Sequence, residues 1–278
     1  MTGMAEEELI IEPGRADRQY WRDLWSYREL FLILAWRDVA VRYKQTLIGV
    51  AWAVLRPLLT VVVFTVVFSK LANLPSEGAV PYALLVVAGM LPWYLFSSAL
   101  GGAADSMILN AGLIGKVYFP RAIIPAASIV TALIDFLLSL GLLVLMMAWY
   151  RFAPGWQIVL LPLFVLLALL ASLGPGLWIS ALNVKYRDFR YVIPFVLQLG
   201  LYISPVGFSS SVVPEHWRLL YSLNPLVGII DGFRWCVLGG ESPLYVPGFT
   251  LSLAITGLFL WIGIATFRAT EKSFADLV

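Results

Sequence analysis

From residue 47 onward the chain alternates long apolar runs with short polar breaks. Six of the runs predict membrane spans, at about 47 to 69, 82 to 104, 122 to 149, 158 to 182, 191 to 208 and 248 to 267. A helix of roughly 20 residues rises far enough to cross a hydrocarbon core about 30 Å thick. Residues 20 to 45 are patterned differently. Trp21, Trp25, Leu32, Trp36, Val39 and Tyr43 form a stripe at helical spacing, with Asp23, Ser26, Arg37 and Lys44 turned away. Its all-apolar block, Leu30 to Trp36, is too short to span, so this segment predicts an amphipathic helix lying in the membrane interface. Within 209 to 247 one more helix is legible: Asn224 suits a cap, Pro225 the first position, and Gly239 and Gly240 the stop. About fourteen residues do not reach across a bilayer, which predicts a re-entrant or interfacial helix on the outer face.

Composition agrees with lipid as the solvent. Of 278 residues 60% are hydrophobic and 13% charged, where a soluble domain has roughly 25% charged. The first 15 residues are acidic (Glu6, Glu7, Glu8, Glu12) and lack the order of a cleavable signal peptide. Fourteen Lys and Arg fall on the side of the N-terminal segment, the loops 105 to 121 and 183 to 190, and the tail, against Lys70, Arg151, Arg218 and Arg234 on the other. The positive-inside rule then places both termini in the cytoplasm. The expected layout is a cytoplasmic segment 1 to 46, a six-helix domain 47 to 267 and a tail 268 to 278. A net charge of +2 argues against a nucleic-acid partner. The lone Cys236 excludes an internal disulfide, and with the lone His216 it leaves too few soft ligands for a zinc or haem site.

Little in the sequence points to chemistry. The nearest approach to a phosphate-binding loop, Gly115-Lys116, has Asn110 at the earlier glycine position and Val117 where Ser or Thr is required. No HExxH, GxSxG or clustered carboxylate pair is present either, so the chain reads as a non-enzyme with no cofactor of its own. Two ionisable residues fall within predicted spans, Arg56 and Asp135. One or both face a hydrated path or a subunit contact; otherwise Arg56 snorkels to the cytoplasmic headgroups and Asp135 makes a local hydrogen bond. Most of the Trp and Tyr residues belong to interfacial belts. Trp93, Tyr94, Phe96 and Tyr202 lie nearer mid-span and are the candidates for lining a path, since a flat ring can cover the apolar face of a sugar. In the loop 105 to 121, Leu113, Ile114, Val117, Tyr118 and Phe119 are unusually apolar, which predicts burial against a partner or the interface helix.

Several segments together resemble the permease subunits of type-2 ABC transporters that export O-antigen, capsule or teichoic-acid-like polysaccharide. They are RDVAVRYKQTLIGVAWAVLRPLL (37 to 59), GMLPWYLFSSAL (89 to 100), LIGKVYFPRAIIP (113 to 125), NVKYRDFRYVIPFVLQ (183 to 198), LNPLVGIIDGFRWCVLG (223 to 239) and the tail FRATEKSFADLV. The resemblance implies an all-α homodimer in the bacterial inner membrane, bearing two copies of a separate cytoplasmic ATPase that binds ATP and magnesium. It implies that Trp36 and Arg37 of the interface helix, with Asn110, Leu113, Ile114, Lys116 and Tyr118 of a coupling segment at 107 to 118, contact that ATPase. It further implies a polyprenyl-pyrophosphate-linked glycan as cargo, with Arg42, Lys44 and Arg56 near the pyrophosphate. Asn224, Pro225, Gly228, Asp231 and Arg234 would belong to the outer re-entrant helices, and the 225 to 238 helix is expected to narrow the exit with Asp231 and Arg234 toward water. The rival readings are a permease for a small lipid or drug, an ion-coupled transporter, and an enzyme acting on polyprenyl phosphates.

Overall fold

The computed structural model describes residues 17–44, 47–78, 80–186, 188–271 and 274, so the acidic stretch Glu6 to Glu12 and the last four residues lie outside it. All regular structure among the described residues is helical. The elements are α1 (Asp17–Ser26), α2 (Arg28–Tyr43), α3 (Leu47–Phe64), α4 (Tyr82–Leu109), α5 (Ala111–Ile114), α6 (Ile123–Trp149), α7 (Leu161–Lys185), α8 (Phe189–Ile203), α9 (Glu215–Tyr221), α10 (Pro225–Val237) and α11 (Val246–Glu271). A π-helical stretch, Thr65–Leu71, continues α3 directly.

Among the described residues, five helical segments are long and apolar enough to cross a membrane: the end of α3 with its π continuation, α4, α6, α7 with the turn before it, and α11. The predicted fifth span is shorter than expected. Residues 191 to 208 read as one apolar run, but α8 stops at Ile203 because Ser204 turns extended and Pro205 follows, leaving 15 residues. At 1.5 Å per residue that is about 22 Å of helix.

The long helix α4 is the centre. Val86, Val87, Ala88, Met90, Leu91, Ala99, Ala103 and Met107 are all buried, and α6, α7, α10, α3 and α8 pack around it. Lipid tails are as apolar as leucine, so helices in a bilayer associate through close packing of small residues rather than through hydrophobic drive. Gly176 of α7 lies against Ala103 of α4, where an added Cβ would come within 2.8 Å of the alanine methyl. Gly174 of α7 and Gly263 of α11 bring two backbones together: a Cβ on Gly174 would sit 2.7 Å from the Leu260 Cα.

The interface segment is two helices rather than one, with a break at Tyr27, and its stripe points outward: Trp21, Trp25, Leu32 and Trp36 are exposed. Leu34 and Ala35 take the inward face, packing with Met107, Ile114, Phe119, Ile123, Leu177 and Phe267. These four therefore face whatever covers the molecule here, lipid or partner, while Val39 is half-buried and Tyr43 turns inward to Asp135. The same pole is tied to the end of α11. The Arg121 backbone N–H donates to Glu271 Oε1 at 2.7 Å, the Arg121 guanidinium donates to the Glu271 carbonyl, and Arg268 lies 4.8 Å from the Tyr20 ring.

At the opposite pole of α4, α10 begins and ends as the sequence predicts. Asn224 Oδ1 accepts from the Leu226 N–H at 3.1 Å, Pro225 opens the helix, and Gly239 and Gly240 take left-handed φ values of 66° and 86°. What differs is the burial of its charges. Arg234 is 0% exposed and Asp231 5%, so neither faces water. Arg234 donates to three carbonyls, of Leu85 (3.2 Å), Phe208 (2.8 Å) and Val206 (2.9 Å), while Ser210 hydrogen bonds Asp231. The guanidinium is thus the joint between α10, the start of α4 and the chain after α8.

Candidate functional site

Between α3, α4, α6 and α8 an open groove of about 780 Å³ is lined by aromatic, hydroxyl and charged side chains. Each helix supplies residues at helical spacing. Tyr94, Ser97, Ser98, Gly101 and Asp105 make a polar stripe along α4; Ala132, Asp135, Phe136 and Ser139 come from α6; Arg190, Pro194, Gln198 and Tyr202 come from α8. Arg56 and Thr60 come from α3, and Arg42 reaches in from the end of α2.

Three guanidiniums and two carboxylates share this groove. Arg42 Nη2 lies 2.7 Å from Asp135 Oδ2, and the Tyr43 hydroxyl donates to Asp135 Oδ1. One carboxylate thereby holds two successive residues of the interface helix. Burial, and then the hydrogen bond to Asp135, pushes the Tyr43 hydroxyl up to about 12, so it remains a proton donor at neutral pH. Arg56 stacks over the Tyr94 ring at 5.6 Å, and the Tyr94 hydroxyl lies 2.9 Å from Thr60 Oγ1. Asp105 lies within electrostatic reach of Arg190.

Among the path candidates read from the sequence, Tyr94, Tyr202 and Arg56 line the groove, as does Trp93, although Trp93 is largely buried in the core. Phe96 packs on Trp93 with ring centroids 5.8 Å apart and is not part of the lining. Of the two cations assigned to the mouth, Arg42 lines the groove and exposed Lys44 does not. Among the described residues the lining includes none from α10, which packs instead on α4, α7 and α11. Gly228 fits against α11 so closely that an added Cβ would come within 2.8 Å of the Ser252 Cβ. Gly228→Trp is accordingly expected to wedge α10 from α11 and lower the melting temperature, measured by thermal size-exclusion chromatography, rather than act locally on a path.

Sequence reading missed Asp105, Arg190 and Gln198. The sequence predicts a loop from 105 to 121, yet α4 continues to Leu109 and carries Asp105. The signal was present as the polar spacing i, i+3, i+4, i+7, i+11 from Tyr94 to Asp105, hidden within a run that scores as uniformly apolar.

The coupling segment is a single turn, α5, with the residues around it. Ile114 and Phe119 are buried and Leu113 is half-buried in one cluster with Leu34 and Ala35 of α2, so three of the five apolar residues are covered with the interface helix, one of the two covers expected. Leu109, Val117 and Tyr118 are exposed at 74%, 51% and 65%, beside exposed Lys116. Arg37 Nη2 donates to Asn110 Oδ1 at 2.7 Å, joining α2 to this turn, and Trp36 stands exposed next to it.

The described residues contain no group of three His, Cys, Asp or Glu side chains able to hold a metal. Residues 29–238 match the profile of the ABC-2 type transporter family. An O-antigen export system permease protein, RfbA, of Myxococcus xanthus is 30% identical over 261 residues, covering 92% of this chain and 98% of the relative. The O-antigen export system permease protein RfbA of Klebsiella pneumoniae is 25% identical over 260 residues (90% and 95%). The inner membrane transport permease YadH of Escherichia coli is 28% identical over 218 residues (73% and 83%). With the family profile spanning most of its helices and relatives matched nearly end to end, this chain belongs to the ABC-2 type transporter family.

Proposed function

We propose that this chain is the membrane-spanning subunit of an exporter that carries an O-antigen-like polysaccharide, linked to a polyprenyl pyrophosphate, across the bacterial inner membrane, powered by ATP hydrolysis in a separate subunit. The observation that carries this reading is the groove, in which stacking surfaces (Tyr94, Tyr202), hydroxyls (Ser97, Ser98, Thr60) and guanidiniums (Arg42, Arg56, Arg190) line one continuous space. Rings suit the apolar faces of sugars and hydroxyls their edges, and planar guanidiniums suit phosphate oxygens. The RfbA relatives, O-antigen export system permeases, support the same cargo class.

The groove is open along α3 and α8, whose Leu55, Leu59, Val62, Phe195, Val196 and Leu199 are exposed. Covering these faces with a second copy of the chain would close the groove into a passage. On this reading the pole with α1, α2 and α5 is cytoplasmic and docks the ATPase, and both termini lie on that side.

Loss of the chain is expected to leave lipid-linked polysaccharide on the inner face of the membrane, measured as surface glycan against the total extracted lipid-linked pool. Normal surface glycan in the deletion strain would refute the proposal. Docking is tested separately. Tyr118→Asp is expected to lower recovery of the co-expressed ATPase about tenfold or more, because an exposed aromatic anchor is commonly worth about 2 kcal/mol at an interface. Ile114→Asp should instead reduce the yield of the permease itself, since Ile114 is 4% exposed. Unchanged co-purification with Tyr118→Asp would remove the turn from the docking surface. For orientation, thiols introduced at Lys116 and Trp217 should be tagged from opposite sides of the membrane, against a background in which Cys236 is buried.

A further inference from the structure

The charges in the groove are sorted by the elements that carry them. The carboxylates, Asp105 and Asp135, stand on α4 and α6, the closely packed helices of the core. The guanidiniums, Arg42, Arg56 and Arg190, stand on α2, α3 and α8, which lie at the edge and keep exposed apolar faces. Asp135 therefore does more than balance a charge: with Arg42 at 2.7 Å and Tyr43 donating to its other oxygen, it fastens the last turn of α2 to the middle of α6. The pair is accessible from the groove, the Arg42 side chain being 52% exposed and that of Asp135 19%. A half-solvated ion pair of this kind is weak enough to exchange partners. Asp135 turns one oxygen to Arg42 and the other to Tyr43, whereas a phosphate group can offer a guanidinium two oxygens at once and carries more charge.

We propose that the groove is a phosphate site occupied by its own carboxylate: Asp135 holds Arg42 until a phosphate group of the cargo displaces it, and the exchange weakens the tie between the end of α2 and α6, where the Tyr43 hydrogen bond to Asp135 remains. This rests on the reading of the groove as the place where a pyrophosphate-linked cargo enters. No bond is made or broken; one anion replaces another at a guanidinium. The consequence travels along a single helix. Five residues before Arg42, Arg37 of α2 donates to Asn110 beside α5, so weakening the tie at one end of α2 is felt by the helix that braces the turn at the docking pole. Arrival of cargo would in this way reach the ATPase-facing surface before any large movement of the spans. Asp105 of α4 and Arg190 of α8 line the same groove within electrostatic reach of each other, a second carboxylate facing a second guanidinium.

The test uses the full chain in lipid nanodiscs, with inorganic pyrophosphate as probe and its affinity read by calorimetry. A purely structural ion pair makes its two halves equivalent, so removing either would change binding in the same direction. The proposal gives them opposite signs. Asp135→Asn removes the competitor and is expected to tighten pyrophosphate binding about three- to fivefold. Arg42→Gln removes the ligand and is expected to weaken it about tenfold or more. Asp105→Asn should also tighten binding, which supplies a second reading should Asp135→Asn not yield folded protein by its melting curve. If the wild type binds while Asp135→Asn and Asp105→Asn bind equally well or more weakly, the carboxylates are not competitors and the inference falls, with the reading of the groove intact. If neither the wild type nor the carboxylate variants bind, the groove is not a phosphate site and both fall together.

Discussion

Replacing Arg234 by Met is expected to lower stability by about 3 to 5 kcal/mol, because three buried carbonyls, of Leu85, Val206 and Phe208, lose their donor at roughly 1 to 3 kcal/mol each. Asp231, itself buried, also loses its nearby positive charge. For a chain of this size a loss on that scale lowers the melting temperature by roughly 10 °C. Thermal size-exclusion chromatography in detergent measures it directly. Arg234→Lys should recover only part of the loss, since one ammonium cannot reproduce a fork that reaches three carbonyls on two segments. A Met variant that melts with the wild type would mean that water satisfies those carbonyls, and the joint between α10, α4 and the chain after α8 would have to be abandoned.

The second large effect is expected at the crossing of α7 and α11. Gly263→Leu places its first side-chain carbon against the Gly174 backbone, and Gly174→Leu does the same to Leu260. Overpacking commonly costs about 1 to 3 kcal/mol when neighbouring side chains can rearrange. Here the obstacle is main chain, so the upper end of that range or more is expected. Both variants should insert yet lose the monodisperse folded peak. The double variant should be little worse than either single one, because separating the helices once relieves both clashes. Full additivity would show that the two glycines do not share one contact.

Much of this architecture is legible in the residues because its causes are local. The cap at Asn224, the proline at 225 and the glycines at 239 and 240 bound α10 without reference to anything else in the chain. The long apolar runs locate α4, α6, α7 and α11 for the same reason: length and hydropathy alone suffice in lipid. What sequence could not supply is the identity of partners that have no side-chain signature. Arg234 reads as half of an exposed pair with Asp231 because the two are three residues apart, yet its partners are backbone carbonyls about 30 and 150 positions away. Asp135 is similar: a mid-span carboxylate announces that something must compensate it, but only the return of α2 onto α6 shows that Arg42 and Tyr43 do so. At the turn 111 to 119 two covers, a partner or the interface helix, fit the sequence equally well. Apolar residues in a loop advertise burial without saying whether the cover is the chain's own core, as for Ile114 and Phe119, or something outside it, as for Val117 and Tyr118.

The wall of the groove formed by α3 is the one whose hydrogen-bond ladder is interrupted twice, at Pro57 and again where the helix widens into π geometry from Thr65 to Leu71. Proline removes one rung and crowds the carbonyl four residues before it, and a π turn replaces the i→i+4 rungs by longer ones. Mechanically α3 is a beam notched near each end of its central segment. Bending is cheapest at notches, so any change in the bore of the groove on this side is delivered by the stretch from Leu58 to Phe64 swinging as one stiff piece. Thr60, which faces Tyr94, rides on that piece, whereas Arg56 lies on the other side of the proline. The two contacts that α3 makes with Tyr94 would then separate in sequence as the beam flexes, giving the groove a graded width rather than a single open or shut one.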